Sequence, residues 1–253
     1  MDFLAKISGR HIEDWLNDLD DLDKYTRATA LETLSDAILD DLDLLDLLMP
    51  HFKRKLLDKS SLVQMTAIES LGKVSKRRPE LVSDTIPTLK DFLKVQDRYI
   101  REGTLELIGE IGSREPQVVL DLIPDVIALI EADDPEIQEK VIESIAKILS
   151  TDSPLAFNDL QKFTNFMQLP IQELRKKILP LLASKFSSLL VDPDNSIRNQ
   201  TMDLITTVSS KDLTFIRELI PFLIEKLADE SIVSSVIQSL IELLPLIREA
   251  IRK

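Results

Sequence analysis

Apolar residues return every three or four positions along most of this chain, the period of one face of an α-helix rather than of a strand. Ile100, Leu105, Ile108 and Ile111 are representative. Wound at about 100° per residue they form one stripe, and the opposite side centres on Glu106. The pattern predicts helices over about 24–39, 42–57, 60–76, 79–94, 97–112, 116–131, 134–150, 194–209, 212–228 and 231–244.

These helices recur at a fixed interval. Pro50, Pro87 and Pro124 are 37 residues apart, inside the similar frames LLMPHFKRKLLD, DTIPTLKDFLKV and DLIPDVIALIEA. Asp23, Ser60, Asp97 and Asp134 step by the same interval, each opening a second apolar-periodic run. Asp or Ser at such a place caps a helix, because its side-chain oxygen accepts from a first-turn N–H that has no intrahelical partner. Each unit thus reads as helix A with a proline near its middle, a short turn, and helix B. A proline inside a helix removes one backbone bond and bends it, so a kink is expected at one place in successive A helices.

The register fails between 150 and 193. Arg175 continues the step from Gln138, with Leu174, Ile178 and Leu182 at core positions, yet Arg198 follows only 23 residues later. Two full helices do not fit in that interval. A short helix near 155–167 and a longer one near 170–191, bent at Pro180, are expected, making an irregular three-helix unit. The last segment, LIELLPLIREAIRK, repeats the helix A frame and is expected to cap the array over about 245–253. Its cations lie at the end where the helix dipole favours them.

Paired helices of this length, a proline within helix A and an Asp-x-x-x-Arg pair opening helix B resemble the HEAT-repeat family, with armadillo-like irregularity around 150–193. The pair occurs as Asp23/Arg27, Asp97/Arg101 and Asp194/Arg198. The resemblance implies an all-α fold: a right-handed α-solenoid of about six helical hairpins and about 13 helices, one curved domain over 1–253. It implies a ladder of these Asp and Arg side chains between adjacent repeats. The ladder is incomplete here, because Gln64 and Gln138 stand at arginine positions and Ser60 at an aspartate position. It also implies a scaffold or adaptor without catalytic activity, and B helices lining the inner, concave side of the array.

On that arrangement the residue opposite each B-helix stripe faces outward into a groove. It is Glu32, Glu69, Glu106 and Glu143 in four successive units, and Asp203 in the displaced later one. Glu102 and Glu139 extend the row to one side, Glu110 and Asp36 to the other, while Lys73, Lys140 and Lys147 interrupt it. Repeats that arise by duplication inherit such a row without any partner. Against that stands the repulsion of Glu102, Glu106 and Glu110, one helical turn apart, at roughly 0.2–0.5 kcal/mol per pair. A trough for a basic helix or peptide accounts for both the row and the repulsion, with charge chiefly speeding and orienting the encounter.

Composition narrows the classes further. Five Gly in 253 residues leave few tight turns for hairpins or phosphate loops. A net charge of −13 opposes a general nucleic-acid or anionic-membrane surface. No cysteine is present, so disulfides and thiolate chemistry are excluded, and a cytoplasmic location is expected. No run reaches transmembrane length, so no membrane partner is expected. The acidic NDLDDLD and DDLDLLD lack the glycine and distal glutamate of a calcium loop, and His11 and His51 have no ligand-spaced partner. No metal, cofactor, small-molecule substrate or catalytic residue is expected. Trp15 is expected to pack under the first repeat.

One stretch is cationic. Residues 51–78 carry Lys53, Arg54, Lys55, Lys59, Lys73, Lys76, Arg77 and Arg78 against Asp58 and Glu69. The first four lie toward the end of a helix A and the last four toward the end of the following antiparallel helix B, so two separate edges are expected rather than one nucleic-acid patch. The alternatives to a peptide-binding scaffold are a tubulin-binding module similar to TOG domains and a HEAT-like nucleic-acid-binding protein. TOG domains bind through the turns between helices A and B. Here those turns, LDKSS, KVQDR, EADDP and VDPDN, are not cationic and carry no aromatic anchor.

Overall fold

A computed structural model describes residues 6–40, 44–131, 134–151, 155–163, 172–209 and 213–252. The chain divides into two compact units, Met1–Ile148 and Leu149–Lys253, and the division falls where the 37-residue register ends.

The first unit opens with a hairpin that the sequence pattern missed. Strands β1 (Lys6–Ile7) and β2 (Arg10–His11) pair antiparallel across Ser8 and Gly9, both at positive φ, the backbone of a two-residue turn. Helix α1 (Ile12–Asp18) follows. Trp15 is 8% exposed; its indole N–H donates to the Ile7 carbonyl at 2.9 Å, and the Arg10 guanidinium lies 4.2 Å over its ring.

The B helices are α2 (Lys24–Asp40), α4 (Ser61–Ser75), α6 (Arg98–Arg114) and α9 (Pro135–Leu149). Helix α2 packs on α4, and α4 on α6. Their contact faces obey the repeat: Leu34, Leu71, Ile108 and Ile145, each 37 residues from the next, are all fully buried at 0% exposure. Helix α6 meets α9 through glycine. A Cβ on Gly109 would stand 3.0 Å from the Ser144 Cα, and Ser144 Oγ donates to the Leu105 carbonyl across the same contact.

The A helices depart from expectation. Pro50 lies inside α3 (Leu45–Lys55), where a kinking proline was expected. In the next two units the segment is instead broken. Pro79 opens a 3-10 turn (Pro79–Leu81), a second (Ser83–Thr85) follows, and Pro87 lies in the first turn of α5 (Ile86–Phe92). Likewise Pro116 opens α7 (Pro116–Val119), a 3-10 turn covers Leu120–Leu122, and Pro124 lies in the first turn of α8 (Ile123–Ala128). Mid-helix proline costs about 3 kcal/mol, whereas in the first turn its missing N–H would have no partner anyway. Two prolines per segment therefore start two short helices rather than bend one.

The Asp-x-x-x-Arg pairs also act differently from a simple ladder. Asp23, Asp97 and Asp194 accept from first-turn amides of Thr26, Ile100 and Ser196, as caps. Arg27, 4% exposed, reaches forward to the next unit, where it forks onto Asp58 at 2.8 and 2.9 Å and also donates to the Asp21 and Leu22 carbonyls. Asp58 thus supplies the carboxylate that Ser60 lacks. Arg101 approaches Asp134 only to 4.0 Å, and its Nε has no hydrogen-bond partner among the described residues. Arg198 donates to the carbonyls of Asp192 and Pro193, and Gln138, at an arginine position, donates to the Ile130 carbonyl.

The second unit comprises α10 (Phe157–Gln161), α11 (Gln172–Leu189), α12 (Asn195–Ser209), α13 (Thr214–Lys226) and α14 (Val233–Arg252). Leu174 and Arg175 lie outside the residues whose side chains are described, as does the end of the short helix expected near 155–167; Ile178 and Leu182 are buried as expected. Pro180, Pro221 and Pro245 all lie inside helices. Because α14 continues through Pro245, the segment expected as a separate cap is the second half of one helix. Phe186 and Phe215 meet edge to face at 5.7 Å between α11 and α13, and Arg217 donates to the Ala250 carbonyl.

Two glycines predict opposite outcomes. A Cβ on Gly112 would fall 2.5 Å from Ile148 and 2.6 Å from Val119, whereas one on Gly72 meets nothing within 4 Å. Gly112→Ala is expected to cost about 1–3 kcal/mol in urea unfolding, and Gly72→Ala to gain up to about 1 kcal/mol from helix propensity.

The Arg27–Asp58 pair predicts an acid limit. Burial pushes the Asp58 carboxyl up, but the Arg27 fork, the Ser60 N–H and the charges of Arg27 and Lys55 outweigh it and leave it below its ordinary value. A depressed folded-state acid stabilises above its unfolded value, about 3.9, and loses that contribution as pH falls through the folded one. Arg27→Met leaves the Asp58 carboxylate only Lys55, 3.7 Å away, and the Ser60 N–H, and is expected to cost about 3 kcal/mol at pH 7. Urea midpoints measured from pH 7 down to 2 should show that cost shrinking below about pH 4.

Candidate functional site

The outward faces of α2, α4 and α6 follow from the buried ones. With Leu34, Leu71 and Ile108 fixed in the core, Glu32, Glu69 and Glu106 are exposed, and Glu143 on α9 is half-buried. These four occupy equivalent positions on consecutive B helices of the first unit. Asp203 is exposed on α12 of the second unit.

The neighbouring acids are not equivalent to this row. Glu102 and Glu110, expected to repel Glu106 along α6, are both half-buried and both neutralised. Arg98 donates to Glu102 at 2.6 Å from one turn earlier, and Lys147 of α9 bonds Glu110. Lys73 of α4 bonds Asp36 of α2 at 2.5 Å, and Lys140 bonds Glu143 at 3.0 Å. Asp36, Lys73, Glu110 and Lys147 are themselves 37 residues apart. The repeat position beside the glutamate row thus alternates in sign and closes on itself as cross-helix ion pairs.

What remains uncompensated is narrower than the sequence row. Among the described residues Glu32, Glu69, Glu106 and Glu139 make no ion pair. Glu69 is held above the ordinary glutamate range. Partial burial raises its pKa, Lys73 lowers it, and the charges of Glu32 and Glu106 raise it again, with a net upward shift. Lys140 is held above its ordinary value by its bond to Glu143, against desolvation, with further help from Glu143, Glu106 and Glu102.

A depression of about 290 Å³ lies between α4 and α6, lined by Met65, Ile68, Glu69, Gly72, Lys73, Lys76, Gly103, Glu106, Leu107 and Glu110. Between α6 and α9 the corresponding space is about 40 Å³ and is bordered by Lys140 and Lys147.

The cationic stretch 51–78 is largely spent on local pairs. Lys53 bonds Asp84, Arg54 and Lys55 both bond Asp20, and Arg78 bonds Glu80. His11 is exposed, and desolvation together with Arg54 holds His51 below its usual range. The turn edge carries a feature that sequence reasoning passed over. Tyr25, Leu62 and Tyr99, again 37 residues apart, are 63%, 40% and 69% exposed at the start of successive B helices, beside exposed Leu22 and Leu57. The 37-residue interval is the signal in the sequence that marks this row, which lies on the first turns of the B helices and not in the connecting turns.

Stacked helical hairpins with these buried repeats define an armadillo- and HEAT-like solenoid fold. The match to the family model described as Adaptin N terminal region spans residues 15–191, and the chain belongs to that family. No curated protein sequence matches it significantly. Among solved structures, an engineered protein from the Northeast Structural Genomics Consortium is similar at 15% identity and TM-score 0.54, covering 94% of this chain and 98% of that one. A designed armadillo repeat protein is similar at 15% identity and TM-score 0.51, covering 92% of this chain and 100% of that one. Another, solved in complex with the peptide (KR)4, has 16% identity and TM-score 0.50, covering 91% and 98%. Among the described residues no helix is long and apolar enough to cross a membrane.

The glutamate row carries its own prediction. An acid whose folded pKa is raised opposes folding once it ionises, so its cost appears as pH rises through the normal glutamate range. Glu69→Gln is expected to raise the melting temperature at pH 7, and to lose that advantage below about pH 4, where glutamate is protonated anyway.

Proposed function

We propose that the protein is a non-enzymatic scaffold that receives a basic helix or extended peptide along the outward faces of α2, α4, α6 and α9. The observation that carries this reading is selective neutralisation. Asp36, Glu102, Glu110 and Glu143 are each held by a lysine or arginine of the same unit, while Glu32, Glu69 and Glu106 on three consecutive helices are left without ion pairs among the described residues. An unrelieved row of like charge is a cost to the isolated fold. A cationic partner removes that cost on binding, which favours association and steers it. The designed armadillo protein crystallised with (KR)4 has a similar fold and takes a basic peptide, which supports the same partner class here.

The alternating Lys–Arg octapeptide is therefore expected to bind, with an affinity that falls steeply as salt rises. Replacing Glu32, Glu69 and Glu106 together by Gln should weaken binding at least tenfold in fluorescence anisotropy, with circular dichroism unchanged. Retention of wild-type affinity by the triple variant would exclude the trough.

A second reading, tubulin binding through the turns in the manner of a TOG domain, gains support from the exposed row Tyr25, Leu62 and Tyr99. Aromatic side chains at an edge are efficient anchors for a partner. If this reading is right, Tyr25→Ala with Tyr99→Ala abolishes co-sedimentation with tubulin and leaves octapeptide binding intact.

A further inference from the structure

The glutamate row is even in sequence but uneven in space. Between α6 and α9 the gap is only about 40 Å³. The lysines beside it, Lys140 and Lys147, already hold Glu143 and Glu110. Between α4 and α6 the gap is about 290 Å³. Its walls are apolar, from Met65, Ile68 and Leu107, and Gly72 contributes backbone alone, with open space where a Cβ would point. Of the cations at its rim, Lys73 is turned to Asp36 on α2, and Lys76 is exposed at its end. Glu69 and Glu106, one from each helix, make no ion pair among the described residues, and Lys73 and Lys140 act on them only at longer range.

We propose that this α4–α6 depression is the anchoring point of the trough and takes one long cationic side chain, an arginine or lysine, from the bound peptide. The inference rests on the trough reading above and sharpens it from a uniform acidic row to one dominant subsite. The chemistry is that of a side chain with an aliphatic stem and a charged head: the stem lies on Met65, Ile68 and Leu107 while the head reaches both carboxylates. Charge alone would not select this gap, because Glu32 is equally unpaired on α2. The gap beside Gly72 combines two carboxylates that make no ion pair among the described residues with room for a stem.

The test separates shape from charge. Gly72→Leu fills the depression, changes no charge, and is sterically free at its Cβ. It is expected to weaken the fluorescein-labelled Lys–Arg octapeptide at least tenfold, whereas Glu32→Gln weakens it only two- to threefold. On the unmodified protein at pH 6.5, an octapeptide of 2,4-diaminobutyric acid, which keeps its ammonium groups protonated but has a stem half the length of lysine's, is expected to bind at least fivefold more weakly than the Lys–Arg peptide. This second arm needs no variant and stands even if Gly72→Leu disturbs folding. Equal binding by Gly72→Leu and the parent, or by the two peptides, would overturn the anchor and leave the trough reading in place. Failure of the Lys–Arg octapeptide to bind the parent protein at low salt would overturn both.

Discussion

Every other feature of the first unit depends on the packing of one B helix against the next through a stripe that repeats every 37 residues. Leu34, Leu71, Ile108 and Ile145 are each fully buried in this contact. Burying four equivalent side chains in register fixes the rotation of each helix about its axis, because a helical stripe can face only one way. That rotation puts Glu32, Glu69 and Glu106 outward on consecutive helices. It also brings position 36 of one repeat against its counterpart in the next, so that Asp36 meets Lys73 and Glu110 meets Lys147. The core thereby decides which charges meet and which are left facing solvent.

The same constraint explains the glycines of α6. Helices pack about 8–10 Å apart depending on the side chains between them, and Gly109 and Gly112 leave room for Ser144 and Ile148 to approach where a methyl group would collide. Close approach lets Ser144 reach the Leu105 carbonyl and leaves little free space between α6 and α9. Gly72 is different, because nothing fills the room it leaves. Glycines in the same repeat array thus have opposite consequences, Gly109 and Gly112 closing a gap and Gly72 keeping one open.

Charge in this unit is organised by distance rather than by composition. The net charge of −13 suggests a diffuse acidic surface, yet Asp36, Glu102, Glu110 and Glu143 each hold a specific cation. Like charges one turn apart on α6 coexist because Arg98 and Lys147 neutralise the outer two, Glu102 and Glu110, and leave Glu106 between them. The buried pair Arg27–Asp58 follows the same logic between adjacent repeats of this unit, and it replaces a carboxylate that Ser60 does not provide.

The sequence by itself determined the helical class, the 37-residue register, the boundaries of α2, α4, α6, α9 and α12 to within a few residues, and that Glu32, Glu69 and Glu106 face out, because all of these follow from periodicity and capping within one segment. It did not determine that Pro87 and Pro124 start helices instead of kinking them, since a second upstream proline changes the local optimum only when both segments are weighed together. The hairpin at Lys6–His11 escaped because two-residue strands carry too little alternation to register as a pattern. Most of all, sequence could not separate Glu106 from Glu102 and Glu110, or one inter-helix gap from the next. Those distinctions depend on side chains 37 residues apart meeting across a contact, and only the tertiary structure brings Lys147 to Glu110 while leaving the space beside Gly72 open.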